Sequence, residues 1–347
     1  MKVGIVGCGL IGTRRAAVAR SLGDDVVLVA DIDEARARSI DASAGWTTDW
    51  RRLVGDPRLD AVIVATVNKS LAPIACAALE SGKHVLCEKP LGRNAAEALE
   101  VLAAARRARR TLKVGFNHRH HPAILRAHEL VSEAAIGRLL SIRATYGHGG
   151  RRGYEREWRG DQELAGGGEL LDQGVHIVDL CRWFLGEITE VTGMTARWVW
   201  EIAPLEDNAF SLLRTQDGKV AFVHTSWTQW KNLFRFEIVG DKGYILVEGL
   251  GGSYGPEHLT LGIRAESGAP DETRWEYPGP DSSWEKEWKE FTAAITEGRE
   301  PLGSGYDGYR AALVIDAIYE SARSDNFTPV GSPTRNTLAD PDALSSA

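Results

Sequence analysis

Three groups of residues have the types and spacing that chemistry demands. Asp172, His176 and Asp179 stand at i, i+4 and i+7, so on a helix they share one face. A carboxylate beside an imidazole admits three readings: a half-buried structural hydrogen bond, two ligands of a metal site, or an acid–base pair. The metal reading lacks a third ligand of evident spacing, because His118, His120 and His121 are too scattered in direction to supply one. The second group is Gly7-Cys8-Gly9-Leu10-Ile11-Gly12, a GxGxxG run. Its first glycine suits a tight turn, its second a close approach of pyrophosphate, its third the packing of helix on strand. Asp31 lies about 20 residues further on, where a carboxylate accepts the adenosine ribose hydroxyls and repels a 2′-phosphate. NAD is therefore expected rather than NADP, with the nearby Arg36 and Arg38 on a solvated helix face. The third group is Glu88-Lys89-Pro90. Lysine is scarce here, 10 residues against 31 arginines, which makes Lys89 conspicuous.

These residues need elements to hold them. Over residues 1–118, short apolar runs (Lys2–Val6, Val26–Ala30, Ala61–Ala65, His84–Cys87, Leu112–Phe116) alternate with helical stretches (Thr13–Leu22, Asp33–Ala44, Ala72–Ser81, Ala95–Arg109). That rhythm predicts a doubly wound parallel sheet, a Rossmann fold, with its ligand at the carboxyl ends of the strands. The glycine run, Asp31 and Glu88-Lys89-Pro90 all fall there.

The pattern then changes. Residues 119–325 read as an α+β domain built on one large, mostly antiparallel or mixed sheet. Its expected helices are Ala123–Ala134, Glu169–Leu185, Ser283–Glu297 and Gly305–Ser324. Its expected strands are Leu139–Tyr146, Val191–Trp200, Asn208–Thr215, Val220–Gln229, Phe234–Val239 and Tyr244–Glu248. From residue 326 to 347 a segment rich in Pro, Ser and Asp is expected to be an extended surface tail.

Composition agrees with a division into two parts. The whole chain has a net charge of −7, but residues 1–118 carry +5 and the remainder −12. Nine of the 11 tryptophans lie after residue 150. The acidic balance argues against a nucleic-acid partner, which would call for a basic stripe. No apolar run is long enough for a membrane span. Four cysteines without paired spacing suggest a reduced, cytoplasmic setting.

Taken together, Gly7–Gly12, Asp31, Glu88-Lys89-Pro90 and the segment Gly166-Gly167-Gly168-x-Leu170-x-Asp172-x-Gly174-x-His176-x-x-Asp179 resemble the Gfo/Idh/MocA oxidoreductases, relatives of glucose–fructose oxidoreductase and inositol dehydrogenase. The resemblance covers about residues 1–325. It implies that Glu88 and Lys89 face the nicotinamide ribose and the substrate hydroxyl, with Lys89–Pro90 often cis. It makes Lys89, Asp172 and His176 catalytic. Trp158 and Arg159 correspond to a Trp-Arg pair near the nicotinamide or substrate, and Asn117-x-Arg119 to an Asn-x-Arg segment beside the active site. From the residues themselves, Arg151, Arg152 and Tyr154 of the same basic loop as Trp158 are candidates to meet a substrate, against the reading of a solvated loop. Cofactor contacts are expected for Gly7, Gly9, Leu10, Ile11, Gly12, Asp31, Thr66, Asn68, Glu88, Lys89, Trp158 and Arg159, and substrate contacts for Lys89, Asn117, Arg119, Tyr154, Arg159, Asp172 and His176. The sequence departs from the family at His120, where an aromatic such as Phe is commoner, and at Val67 and Leu71, where relatives often carry Pro and His.

The function this implies is NAD-dependent oxidation of a secondary hydroxyl on a sugar, cyclitol or sugar derivative. His176 would act as general base, its ordinary pKa of about 6.5 suiting proton exchange near neutrality. Lys89 would stabilise the alkoxide-like charge and Asp172 orient a hydroxyl. No metal is called for. Two rivals share the motifs: a glycosidase using NAD for transient oxidation and elimination, and a non-catalytic NAD-binding regulator. A homodimer or homotetramer through the second domain's sheet is expected, since bulky aromatics are enriched at interfaces.

Overall fold

The structure, a computed structural model, describes residues 1–40 and 43–331. They divide into two compact units: Met1–Phe116 with Trp284–Ala312, and Asn117–Ser283 with Leu313–Gly331.

In the first unit the order is β1 (Lys2–Val6), α1 (Leu10–Ser21), β2 (Asp25–Ala30), α2 (Glu34–Ile40), β3 (Gly45–Thr47), α3 (Trp50–Val54), β4 (Ala61–Val64), α4 (Asn68–Glu80), β5 (His84–Cys87), α5 (Ala95–Ala108) and β6 (Leu112–Val114). The strands are parallel in the order β3-β2-β1-β4-β5-β6. This is the expected Rossmann sheet. Strand order reverses between β1 and β4, the crevice where such sheets take ligands. Central strands buried on both faces read as continuous apolar runs, and Ala61–Val64 is buried throughout.

The second unit contains α6 (Pro122–Ser132), β7 (Leu139–Gly147), α7 (Gln162–Ala165), a π-helical turn (Leu170–Gly174), α8 (Val175–Leu185), β8 (Ile188–Ala196), β9 (Asn208–Thr215), β10 (Val220–Ser226), β11 (Leu233–Gly240), β12 (Gly243–Glu248), β13 (Glu257–Ile263) and β14 (Asp271–Tyr277). Its sheet runs β14-β13-β12-β11-β7-β10-β9-β8, with β15 (Thr328–Pro329) against β8. It is mixed: β7 and β10 pair parallel, their neighbours antiparallel.

Two late helices, α9 (Ser283–Glu297) and α10 (Gly305–Ser324), stand where periodicity places them. The assignment of α9 and the start of α10 to the second part is corrected, because Trp284–Ala312 groups with the first unit, while α10 from Leu313 onward stays with the second. The reason is burial: Trp288 and Phe291 of α9 sit in one core cluster with Ile5, Val29, Ala61 and Leu86. Of the expected tail, β15 forms a short strand, and residues 332–347 lie outside the described residues. Strands β13 and β14 are additions to the expected set.

Candidate active site

In the first unit the glycine run links β1 to α1. Gly7 has φ +95, and a Cβ there would lie 2.2 Å from the Ala65 carbonyl oxygen. A Cβ on Gly12 would lie 1.8 Å from the Gly7 oxygen, so only glycine lets helix and turn approach this closely. At Gly9 an added Cβ meets nothing within 4 Å. The backbone is thus open at the one glycine where a pyrophosphate has to come near. The first turn of α1 carries no acid to repel it.

Asp31 follows β2. The Cys8 N–H donates to its Oδ2 at 2.7 Å and the Asp33 N–H to its Oδ1 at 2.9 Å. A carboxylate has about four acceptor positions, so capacity remains for ribose hydroxyls. Burial, and then the Asp31 charge, pushes the Cys8 thiol up to about 12. Leu10 and Ile32, beside these groups in sequence, are exposed apolar side chains. Arg36 pairs with Asp33 and Arg38 with Glu34, and Arg38 also lies over the Trp46 ring. Both arginines are exposed on α2, as expected. Beyond β4, the Thr66 hydroxyl donates to the Val67 carbonyl at 3.3 Å, and Asn68 opens α4 as a buried residue. The residues present fit a bound dinucleotide.

Glu88-Lys89-Pro90 follows β5, with Lys89–Pro90 cis. Glu88 is buried, and Arg15 of α1 donates Nε to its Oε1 at 2.7 Å. Arg15 also meets Glu287 of α9 at 2.6 Å, and Lys113 stands 3.6 Å from Glu287. Trp284 covers the Arg15 guanidinium at 4.5 Å. Burial raises the Glu88 carboxyl above its ordinary range even though Arg15 pulls it down. The sequence offered no sign of this four-charge network, whose members are 73 to 272 residues apart in pairs anchored on Arg15.

In the second unit the acid–imidazole–acid series of the Gly-rich segment is matched rung by rung. Arg159 Nε donates to Asp172 Oδ2 at 2.9 Å. His176 is stacked on His118, ring centroids 3.8 Å apart and planes 17° apart. Asp179 accepts from Arg119 Nε at 2.7 Å and from its second nitrogen at 2.6 Å. Asp172, His176 and Asp179 are all buried. Asp172 lies in the π-helical turn and His176 in α8, so the i+4 spacing does not run through regular α-helix. Such π turns recur at functional sites.

Glu206 anchors the start of this segment. Its carboxylate accepts the Gly168 N–H at 3.2 Å, the Leu170 N–H at 3.0 Å and the Tyr319 hydroxyl at 2.8 Å. Burial raises its pKa against those bonds. Gly168 is confined as well, since a Cβ would lie 2.0 Å from the Glu206 carbonyl oxygen.

Several expected positions are clarified. Tyr154 is buried edge-on against Trp227 at 5.0 Å, and burial together with the Asp172 charge raises its hydroxyl pKa. Trp158 packs against the same aromatic cluster, under the Arg159 guanidinium at 4.4 Å. Asn117 donates to Ser283 Oγ at 3.0 Å. Arg119 is held bidentate by Asp179 and covered by Trp183, which makes it a buried strut of the helix. Exposed Arg151 is held by both oxygens of Glu157. Tyr146, Glu169 and Tyr254 were not foreseen, and His118, weighed in the sequence only as a metal ligand, stands stacked on His176 instead. Tyr146 is hydrogen-bonded to Tyr254, and burial leads a set of causes, Glu169 and Asp172 among them, that keep its hydroxyl well above its ordinary value.

Two family models match the chain. One, an oxidoreductase family with an NAD-binding Rossmann fold, covers residues 1–116, and the other, the GFO/IDH/MocA C-terminal domain, covers residues 124–246. The chain belongs to the Gfo/Idh/MocA family. Levoglucosan dehydrogenase of Pseudarthrobacter phenanthrenivorans is 30% identical, over 82% of this chain and 83% of its own. Inositol 2-dehydrogenase of Acidothermus cellulolyticus is 30% identical over 94% and 93%. A structure of levoglucosan dehydrogenase with NADH and levoglucosan superposes with a TM-score of 0.87 at 27% identity, covering 96% of this chain and all of that one. This Gfo/Idh/MocA member is an NAD-binding oxidoreductase. Among its described residues no helix is long and apolar enough to cross a membrane, and no three His, Cys, Asp or Glu are placed to hold a metal ion.

Proposed function

We propose that this oxidoreductase oxidises a secondary hydroxyl of a neutral sugar, cyclitol or sugar derivative. The observation that carries the reading is the buried pair of Asp172 and His176 on one helical segment, with Asp172 ion-paired to Arg159. When bound, NAD supplies the acceptor for the hydride. The chain must then remove the hydroxyl proton and stabilise the charge left on oxygen. His176 accepts the proton, a role worth about 10²–10⁴ in rate. Lys89, an ammonium at the end of β5, hydrogen-bonds the developing alkoxide. Asp172, its second oxygen directed by the Arg159 pair, orients a neighbouring hydroxyl. Trp158, half-buried under the Arg159 guanidinium that pairs with Asp172, supplies an aromatic face for a sugar ring, with Tyr154 buried in the cluster behind it. Asn117 and Arg119 act one step back, as supports. Arg151 is neutralised by Glu157, which supports a neutral rather than anionic substrate.

In the first unit, Gly7, Gly9, Leu10, Ile11 and Gly12 take the pyrophosphate, Asp31 the adenosine ribose, and Thr66 and Asn68 the nicotinamide side. The two carboxylate oxygens of Asp31 and the pairing of Arg36 and Arg38 with acids support NAD over NADP. The free thiols of Cys8, Cys76, Cys87 and Cys181 support a reducing, cytoplasmic setting. Exposed Leu140, Met194, Leu212 and Phe222 on the large sheet support self-association of that face.

The test is a screen of sugars, cyclitols and amino sugars with NAD, followed at the NADH absorbance. Stoichiometric NADH from a neutral polyol is the expected result. Cleavage of a glycoside without net NADH would replace this reading with transient oxidation and elimination. NAD binding with no turnover of any polyol or glycoside would favour a regulator.

A further inference from the structure

A directed chain of hydrogen bonds ends on the ring that stacks against His176. Asp281 Oδ1 can only accept, so the Ser283 hydroxyl donates to it, at 2.6 Å. Ser283 Oγ then accepts from Asn117 Nδ2 at 3.0 Å. That leaves Asn117 Oδ1 as the acceptor facing His118 Nδ1 at 3.2 Å, so the proton sits on Nδ1 of His118. Each link forces the next, and the direction comes from the carboxylate. The same segment is braced from the side: His121 Nδ1 meets Glu257 Oε2 at 3.0 Å, and the rings of His118 and His121 meet edge to face. Tyr146 of β7 and Phe234 of β11 pack edge-on against the remaining sides of His118. The His118 ring is therefore fixed in both plane and tautomer.

We propose that His118 is a positioning residue for His176: locked by the Asp281–Ser283–Asn117 chain, it presents a fixed ring face that sets the plane of the base and opposes its protonation. The inference rests on the reading of His176 as base. Two physical effects follow from the stack. A rigid aromatic neighbour removes the tilt of the His176 ring, and small misplacements of a reacting group are costly. Rings stacked at 3.8 Å repel each other if both are protonated, so a proton on His118 disfavours one on His176. His121 and Tyr146 meet the His118 ring edge to face, Tyr254, Glu169 and Asp172 act on Tyr146 next to it, and Arg119 on the His118 segment is ion-paired with Asp179 of the His176 segment. Asp281 and Glu257 stand one link further out.

The experiment is nitrogen-15 NMR of the full-length protein labelled at histidine, wild type against His118→Phe and Ser283→Ala, with thermal melts as a check on folding. In the wild type His118 shows protonated Nδ1 and unprotonated Nε2. His118→Phe keeps a ring in the stack but removes the competing titratable ring, so the His176 midpoint rises by about half a pH unit or more. Ser283→Ala leaves the stack intact and cuts the chain, so His118 shows a mixture of tautomers. In turnover of a polyol found in the screen, His118→Ala lowers kcat by about tenfold or more, with the acid limb of the profile moved to higher pH. An Nδ1-unprotonated His118 in the wild type, or a His176 midpoint unmoved in a folded His118→Phe, would overturn the proposal. If His118→Phe does not fold, Ser283→Ala decides it, an unchanged tautomer counting against. Loss of turnover in His176→Ala with full activity in His118→Ala removes this inference alone. Full activity in His176→Ala removes the reading of the base instead.

Discussion

Arg15, three residues past the glycine run, is ion-paired in a buried space with Glu88 of the Glu-Lys-Pro turn. The helix that opens the nucleotide-binding turn and the loop that carries Lys89 are thereby joined. Glu287 stands on the other side of the same guanidinium.

Replacing Arg15 by Met removes the cation between two buried carboxylates. Stripping one partner from a buried pair costs about 3–5 kcal/mol, and urea unfolding should show a loss of that size. Glu88 is already held above its ordinary range, and without Arg15 it rises further. A carboxyl raised by folding contributes stability below its unfolded pKa, about 4.3, that is lost as pH climbs through the folded value. The deficit of Arg15→Met should therefore widen from pH 5 upward. A deficit independent of pH would place the effect in packing against Trp284.

Asp31→Ala removes the acceptor for the ribose hydroxyls and the charge that repels a 2′-phosphate. KM for NAD should rise about tenfold or more, the loss of one hydrogen bond to a charged group. The ratio of kcat/KM for NAD over NADP should fall at the same time. Equal wild-type kcat/KM for the two cofactors would remove Asp31 from this role.

His176→Ala should depress kcat by about 10²-fold or more, the scale of a lost general base. Binding of NADH, measured by fluorescence titration, should be retained. An unimpaired rate would show that the proton leaves by another group.

Phe222 lies across from Leu212 on adjacent strands of the large sheet, and both are exposed. Phe222→Asp introduces a charge into that apolar face. Sedimentation at micromolar concentration should show the wild type associated and the variant monomeric. A monomeric wild type would refute association through this face.

The parts of the fold with strong periodicity were legible in the sequence. Asn208–Thr215 alternates buried and exposed along β9, and the Rossmann strands are unbroken apolar runs. Strand β14 was missed because it is a polar edge, largely exposed, with no buried face to leave an alternation. The π turn adds a local change of register that helical spacing conceals, although Asp172 and His176 were found by residue type. Arg119 was expected at the substrate, and its partner Asp179 lies 60 residues away, where no local pattern announces an ion pair. His118 was one of three neighbouring histidines whose directions were settled only by the tight turn Asn117–His120. Glu206 carries no motif at all. Its importance comes from the two backbone N–H groups it receives.

Helix α9 alters what counts as a module in this chain. Trp288 donates its indole N–H to Asp24, and with Phe291 it completes the core of the nucleotide-binding unit. Cutting after residue 118 would strip two large aromatic side chains from that core, each worth about 3–5 kcal/mol. The unit is therefore not a linear cassette. A recombination event that exchanges the second unit has to cross the chain before Asn117, beyond Ser283 and again after Ala312 to leave the first unit's core intact. Shuffling at the single obvious boundary would yield an incomplete protein on both sides.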